Sequence, residues 1–126
     1  MLDVLILEDN ENISTYMEVA LRRRAPGLQY RICSSGNELK EVICSGIYAS
    51  VYVLDDEVPR SKGERAAFRF IENCTFLLDH SPDARVLYTA PRPSDETSGF
   101  CRKKGIAEVD KIQMVDHILR YLKVDR

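Results

Sequence analysis

Two spacings of apolar residues alternate along the chain. Val4-Leu5-Ile6-Leu7, Val51-Tyr52-Val53-Leu54 and Val86-Leu87-Tyr88 are short continuous apolar runs, the pattern of strands covered on both faces. Leu28 to Cys33 is less apolar and predicts an edge strand, and Ile106 to Asp110 predicts a weak fifth. Between these runs the apolar positions recur at helical spacing. Ile13, Tyr16, Met17, Ala20 and Leu21 mark a first helix, and Leu39, Val42 and Ile43 a second. Ala67, Phe70, Ile71, Cys74 and Leu78 mark a long third helix, and Val115, Ile118, Leu119 and Leu122 the last.

The punctuation agrees. Pro26-Gly27 stops the first helix and Gly46 the second, while Ser35 to Glu38 and Ser61 to Glu64 fit capping boxes, so the third helix is expected to start near Ser61. His80-Ser81-Pro82-Asp83 ends it. Ser94 is expected to cap a polar helix with Asp95 and Glu96 early and Lys103 and Lys104 late, an order that suits the helix dipole, and Gly105 to close it. Pro91-Arg92-Pro93 reads as a stiff loop. Strand and helix thus alternate as (βα)5. Such alternation implies the α/β class: a doubly wound, five-stranded parallel sheet with helices on both faces and short connections. Residues 1–126 are expected to form a single domain, with no repeat or linker.

Composition adds little beyond exclusions. Lys and Arg number 18 against 20 Asp and Glu, for a formal net charge of −2, which argues against direct nucleic-acid binding. The basic run Arg22-Arg23-Arg24 closes a predicted helix, where cations are favoured. No apolar stretch is long enough for a membrane span, and Asp3 and Glu8 interrupt the N-terminus as a signal peptide. Cys33, Cys44, Cys74 and Cys101 form no CxxC pair, so no zinc or thioredoxin-type site is indicated. Cys44 and Cys74 read as small buried hydrophobes, and a reduced, cytoplasmic setting is the expectation. Tyr16 and Phe70 are assigned to the core, and His80 and His117 to the surface.

Candidate chemistry gathers at the strand ends. Glu8-Asp9 follows the first strand, Asp55 the third and Thr89 the fourth, and Lys111 follows the fifth. In a parallel sheet these ends share one edge, where ligands bind. In the order 2-1-3-4-5 the first and third strands are neighbours, so Asp9 and Asp55 converge. Clustered carboxylates repel unless a cation compensates. Mg²⁺ suits them, because it takes oxygen ligands and retains waters that a phosphate can replace. A carboxylate can attack phosphorus, which makes Asp55 the candidate nucleophile. The Thr89 hydroxyl and Lys111 ammonium are suitable donors to phosphoryl oxygens.

These residues carry a resemblance. Leu7-Glu8-Asp9-Asn10, Leu54-Asp55 with Pro59 and Gly63 downstream, Thr89-Ala90 and Lys111 resemble the receiver domain of two-component response regulators, over essentially the whole chain. The resemblance implies the flavodoxin-like strand order, a phosphoacceptor at Asp55, and Mg²⁺ held by Asp9, Asp55 and the Glu57 carbonyl, with Glu8 acting through water. It implies Thr89 and Lys111 as the clamps of the phosphoryl group. Three departures stand out. Ile112 replaces the family's usual proline, so a trans bond and a shifted loop are expected. Glu108 stands where the family has a switch aromatic, and the span from Asp55 to Thr89 is longer than usual, which an extra turn of the third helix would accommodate. Tyr88 is bulky for its otherwise aliphatic strand.

The expected function is a phosphorylation-dependent signalling switch. It takes phosphate from a histidine kinase or phosphotransfer protein, catalyses its own phosphorylation and dephosphorylation, and signals through a downstream protein partner. The alternative is a pseudo-receiver scaffold that binds partners without phosphorylation, which Glu108 and Ile112 favour. A Mg²⁺-dependent phosphatase with an aspartyl intermediate is a third reading. Glu57 supplies its second acid two residues past Asp55, but the chain holds no cap domain.

Overall fold

The computed structural model describes residues 1–90 and 93–122, so Pro91 and Arg92 of the predicted stiff loop lie outside the described residues. In chain order the strands are β1 (Leu2–Leu7), β2 (Tyr30–Cys33), β3 (Ala49–Asp55), β4 (Glu57–Val58), β5 (Ala67–Phe68), β6 (Val86–Thr89) and β7 (Ala107–Glu108). The helices are α1 (Glu11–Arg24), α2 (Gly36–Cys44), α3 (Phe70–His80), α4 (Asp95–Lys104) and α5 (Met114–Tyr121), with a 3-10 turn over Lys111–Gln113 leading into the last. Five strands form one parallel sheet in the order β2-β1-β3-β6-β7, which is the expected 2-1-3-4-5 order of a flavodoxin-like α/β fold. β4 and β5 stand apart as an antiparallel pair.

Side-chain alternation divides the core in two. Leu5, Leu7, Tyr52, Leu54 and Tyr88 face one way, against Leu39 and Ile43 of α2, Phe70, Cys74 and Leu77 of α3, and Cys101 of α4. Val4, Ile6, Val51, Val53 and Leu87 face the other way, against Met17 and Leu21 of α1 and Val115, Ile118 and Leu119 of α5. Each fully buried aliphatic side chain contributes roughly 1.5–3 kcal/mol, so the two apolar layers hold the central strands in register. Arg24 at the end of α1 pairs with Asp116 of α5, tying the two helices of that layer together.

Local signals hold at most helix ends. Asn10 caps α1 by accepting the N–H groups of Asn12 and Ile13. Ser35 caps α2 through Glu38 N–H, while the Glu38 carboxylate reaches the Ser34 N–H, so the expected box forms one residue off on its return arm. Ser94 caps α4, and Gly105 closes it at φ 70°, a left-handed conformation suited to glycine.

The third helix differs from expectation. It begins at Phe70, not near Ser61, and residues 57–68 form the β4–β5 hairpin instead. Ser61 and Glu64 make a tight turn, with Glu64 N–H donating to the Ser61 carbonyl at 3.0 Å, and Gly63 follows a left-handed path at φ 91°. Ala67 is therefore a strand residue paired with Val58, not part of a helical stripe. The extra length between Asp55 and Thr89 lies in this hairpin, not in an added helical turn. What fixes the helix start is tertiary: the Asp56 carbonyl accepts Arg69 N–H at 2.8 Å, and the Asp56 carboxylate accepts Phe70 N–H at 3.3 Å.

Two core assignments also change. Tyr16 is 53% exposed on the outer side of α1, and Cys44 is exposed at the end of α2. Both sit at the margin of a helical stripe, where spacing alone does not fix which side of the boundary a residue falls. Phe70 and Cys74 are buried as expected, and His80 is exposed, its Nδ1 3.0 Å from the Phe76 carbonyl. Among the described residues no helix is long and apolar enough to cross a membrane.

Candidate functional site

β1 and β3 pair in parallel through Leu7 and Leu54, so the residues that follow each strand emerge side by side. Glu8 leaves β1 and is 1% exposed; Asp55 ends β3 and is 4% exposed; Asp9 lies at the exposed rim. One carboxylate oxygen from each of Glu8, Asp9 and Asp55 lies within 4.8 Å of the others. Lys111, at the start of the 3-10 turn after β7, reaches back across the crevice. Its Nζ donates to Glu8 Oε1 at 2.8 Å and to Asp55 Oδ2 at 3.0 Å. Glu8 Oε2 accepts the Asn10 N–H at 3.0 Å, which fixes the side chain in place.

The charges do not balance. Among the described residues, three carboxylates share one ammonium. Burial, then the neighbouring Glu8 charge, pushes the Asp55 carboxyl from its usual value of 3.8 up to about 7, against the pull of Lys111. Asp9 is raised for the same reasons, partial burial and then Glu8, with a further contribution from the nearby charge of Glu57. Burial works against the Lys111 ammonium, yet the hydrogen bonds and charges of Glu8 and Asp55 outweigh it and hold the amine above its usual range. A hard divalent cation with oxygen ligands would relieve this excess, and the donor set of Glu8, Asp9 and Asp55 fits one.

Thr89 ends β6 and lies in register with Asp55. It is 2% exposed, and its Oγ1 has no hydrogen-bond partner among the described residues. Such a buried, unpaired hydroxyl is costly and rare in a native protein. It leaves a donor available one strand away from the Asp55 carboxylate. Thus Glu8, Asp9, Asp55 and Lys111 come together in one crevice, with Thr89 on the adjoining strand. The Glu57 side chain is exposed on β4 and stands outside the carboxylate cluster.

A cleft of about 430 Å³ opens beside the site, lined by Tyr88, Ala90, Pro93, Glu108 and Lys111 among others. Glu108 is exposed in β7 and places no ring over this cleft. Ile112 is 79% exposed, and the peptide bond before it is trans.

The neighbouring acid was not legible as a site residue. Asp56 is 2% exposed, and its carboxylate meets Tyr88 and Phe70, both of the layer built by α2, α3 and α4. Its Oδ2 accepts the Tyr88 hydroxyl at 2.7 Å and its Oδ1 the Phe70 N–H at 3.3 Å, while its own N–H donates to Asp55 Oδ1 at 2.8 Å. Burial, then this hydrogen bond to an acid, raises the Tyr88 phenol strongly, so it is the donor. The one available signal was Tyr88 itself, a hydroxyl-bearing ring in an aliphatic strand, which needs a partner when buried.

No family model matches the sequence, and no curated protein matches it either. Solved structures do match in fold. A response regulator from Burkholderia pseudomallei, solved with a phosphorylated aspartic acid, calcium ion and citrate, superposes with a TM-score of 0.73 at 23% identity, over 97% of this chain and 66% of that one. A CheY-like response regulator receiver domain protein from Methanospirillum hungatei gives 0.72 at 17% identity, over 99% of this chain and all of that one (100%). A response regulator receiver protein from Sinorhizobium medicae gives 0.69 at 15%, over 97% and 94%.

Proposed function

From a chain with the fold of response regulator receiver domains, we propose a phosphorylation-dependent signalling switch in which Asp55 accepts a phosphoryl group. The donor is the phosphohistidine of a histidine kinase or a phosphotransfer protein, and the product is a conformation read by a downstream protein partner. Residues 1–126 act in it as a single receiver domain, in the cytoplasm.

The observation that carries this reading is the placement of Asp55. It is a buried carboxylate held between Glu8 and Lys111, with the Thr89 hydroxyl, unpartnered among the described residues, on the adjacent strand. Burial and Glu8 raise its pKa to about 7, a surplus of negative charge that a bound cation would relieve, favouring the ionised carboxylate. Glu8, Asp9 and Asp55, with the Glu57 carbonyl, would hold Mg²⁺. When bound, the ion supplies charge neutralisation for the carboxylates and the phosphoryl oxygens.

In the transfer, an Asp55 oxygen forms a bond to phosphorus as the phosphorus–nitrogen bond of the donor breaks, and the departing imidazole takes up a proton. Lys111 then turns its ammonium from the free carboxylate towards the new phosphoryl oxygens. The Thr89 hydroxyl gains the partner it lacks, which draws the end of β6 towards Asp55. Hydrolysis returns the carboxylate as water attacks the same phosphorus.

Intact-mass measurement after incubation with acetyl phosphate and Mg²⁺ tests the proposal. One added phosphoryl group, lost in Asp55→Asn at unchanged fold, is expected. Absence of any adduct in the unaltered chain would favour the scaffold reading, for which the exposed Glu108 at the switch position is the supporting observation.

A further inference from the structure

Asp55 and Asp56 are consecutive buried acids; strand alternation turns them towards opposite core layers, and among the described residues only the first meets a cation. Asp56 is instead held by neutral donors from two other elements: the Tyr88 hydroxyl of β6 and the Phe70 N–H at the start of α3. The Phe70 ring lies 4.2 Å from the Tyr88 ring, centre to centre, at 49°. It also meets Phe100 of α4 edge-on at 6.1 Å and 84°. Tyr88 borders the cleft beside Lys111, and the next residue in its strand is Thr89. At the other end, the Asp56 N–H donates to Asp55 Oδ1 itself.

We propose that the Asp56–Tyr88 hydrogen bond is the internal link by which the state of Asp55 reaches α4. The inference rests on the phosphoacceptor reading above. Two features of the contact network support it. When Asp55 becomes an acyl phosphate its carboxylate charge is replaced by the larger charge of the phosphoryl group, so the acceptor of the Asp56 N–H changes. Any shift of Asp56 is then felt by the one buried hydroxyl that grips its carboxylate. Tyr88 also sits in the same strand as Thr89, so movement of the β6 end towards the phosphoryl group pulls on the Tyr88 hydroxyl from the opposite side. The ring contacts pass both displacements to Phe70 and Phe100. Glu108, exposed in β7, offers no buried ring for this task. Asp56 reaches the Asp55 carboxylate through its N–H, while its own carboxylate is taken up by the Tyr88 hydroxyl and the Phe70 N–H. They position and transmit.

Amide and methyl NMR spectra with and without beryllofluoride and Mg²⁺ test the link. In the unaltered chain, the probe should shift resonances around Asp55 and also at Phe100 and Cys101. In Tyr88→Phe, which keeps the ring and its packing, the shifts near Asp55 should persist while those at Phe100 and Cys101 fall by about half or more. Asp56→Asn keeps one oxygen that can accept the hydroxyl and should retain most of the α4 response; its loss there would count against the hydrogen bond as the link. Undiminished α4 shifts in Tyr88→Phe would overturn the link. So would an α4 response already absent from the unaltered chain while the Asp55 region responds. No response anywhere in the unaltered chain would overturn the phosphoacceptor reading and the link with it.

Discussion

Asp55 and Asp56 are neighbours in sequence and almost equally buried, at 4% and 2% exposure, yet they do opposite work. The difference comes from strand alternation. One side chain turns towards the layer of α1 and α5, where β1 delivers Glu8 and Asp9 and the turn after β7 delivers Lys111. The other turns towards the layer of α2, α3 and α4, where the neighbours are aromatic rings, a hydroxyl and a backbone N–H. Burial alone therefore does not mark a nucleophile. A carboxylate becomes chemically poised when like charges crowd it and a single cation compensates incompletely. It becomes a structural anchor when neutral donors satisfy it. Asp55 has a surplus of charge that a metal ion and a phosphoryl group can use, whereas Asp56 is already satisfied.

The sharpest way to break this contrast is to remove the partner from each acid. Lys111→Met should destabilise the metal-free chain by about 3 kcal/mol at pH 8, because two buried carboxylates are left without their cation. Tyr88→Phe should cost about 1.5 kcal/mol, the range for one buried acceptor left unpaired. Urea denaturation measures both. Equal costs would mean that the two acids are held alike, and the contrast would fail.

A second effect, smaller than that of Lys111→Met, depends on pH. The Asp55 pKa in the folded chain is raised, from 3.8 to about 7, so the native state binds more protons than the unfolded state between those values. Stability of the metal-free chain should therefore fall as pH rises from about 4 to about 7 and then level off, with Asp9 contributing in the same direction. Lys111 does not oppose this, since its raised pKa acts only in the alkaline range. The loss should be on the order of 2 kcal/mol, after allowance for the coupling of Asp55 to Glu8 and Lys111. Thermal melts in chelator at pH 5 and pH 8 read it, and Asp55→Asn should flatten the slope. A slope that survives unchanged in Asp55→Asn would contradict the assignment.

Smaller again is the metal effect. Mg²⁺ should bind weakly, since the site offers few protein ligands and the ion dehydrates reluctantly. Asp9→Asn should weaken it about tenfold, or roughly 1.4 kcal/mol, by calorimetric titration. Unchanged affinity would remove Asp9 from the ligand set.

The contrast also explains what the sequence could and could not disclose. The sheet was legible because its three central strands are continuous apolar runs, and the crevice because acids stand at the ends of two of them and a lysine follows the weak fifth strand. The β4–β5 hairpin was not legible, because Ser61 to Glu64 mimics a capping box and Ala67, Phe70, Ile71 and Cys74 keep helical spacing. What overrides that local signal is the grip of Asp56 on Arg69 and Phe70, a contact made only in the folded chain. The partnership of Asp56 with Tyr88 was hidden for the same reason: it joins residues 32 apart and needs both register and face to be known. Tyr16 and Cys44 show the limit of periodicity, which identifies a buried stripe but not its width.

The central claim is that Asp55, and not its equally buried neighbour, is the phosphoacceptor. Borohydride reduction tests it most directly, because it converts an acyl phosphate to the corresponding alcohol and leaves a free carboxylate untouched. The chain is treated with acetyl phosphate and Mg²⁺, reduced, digested and sequenced by mass spectrometry across Leu54-Asp55-Asp56-Glu57. Homoserine at position 55 alone, with intact aspartate at position 56, is the predicted result. Reduction at position 56, or at no carboxylate of this segment, would contradict the account.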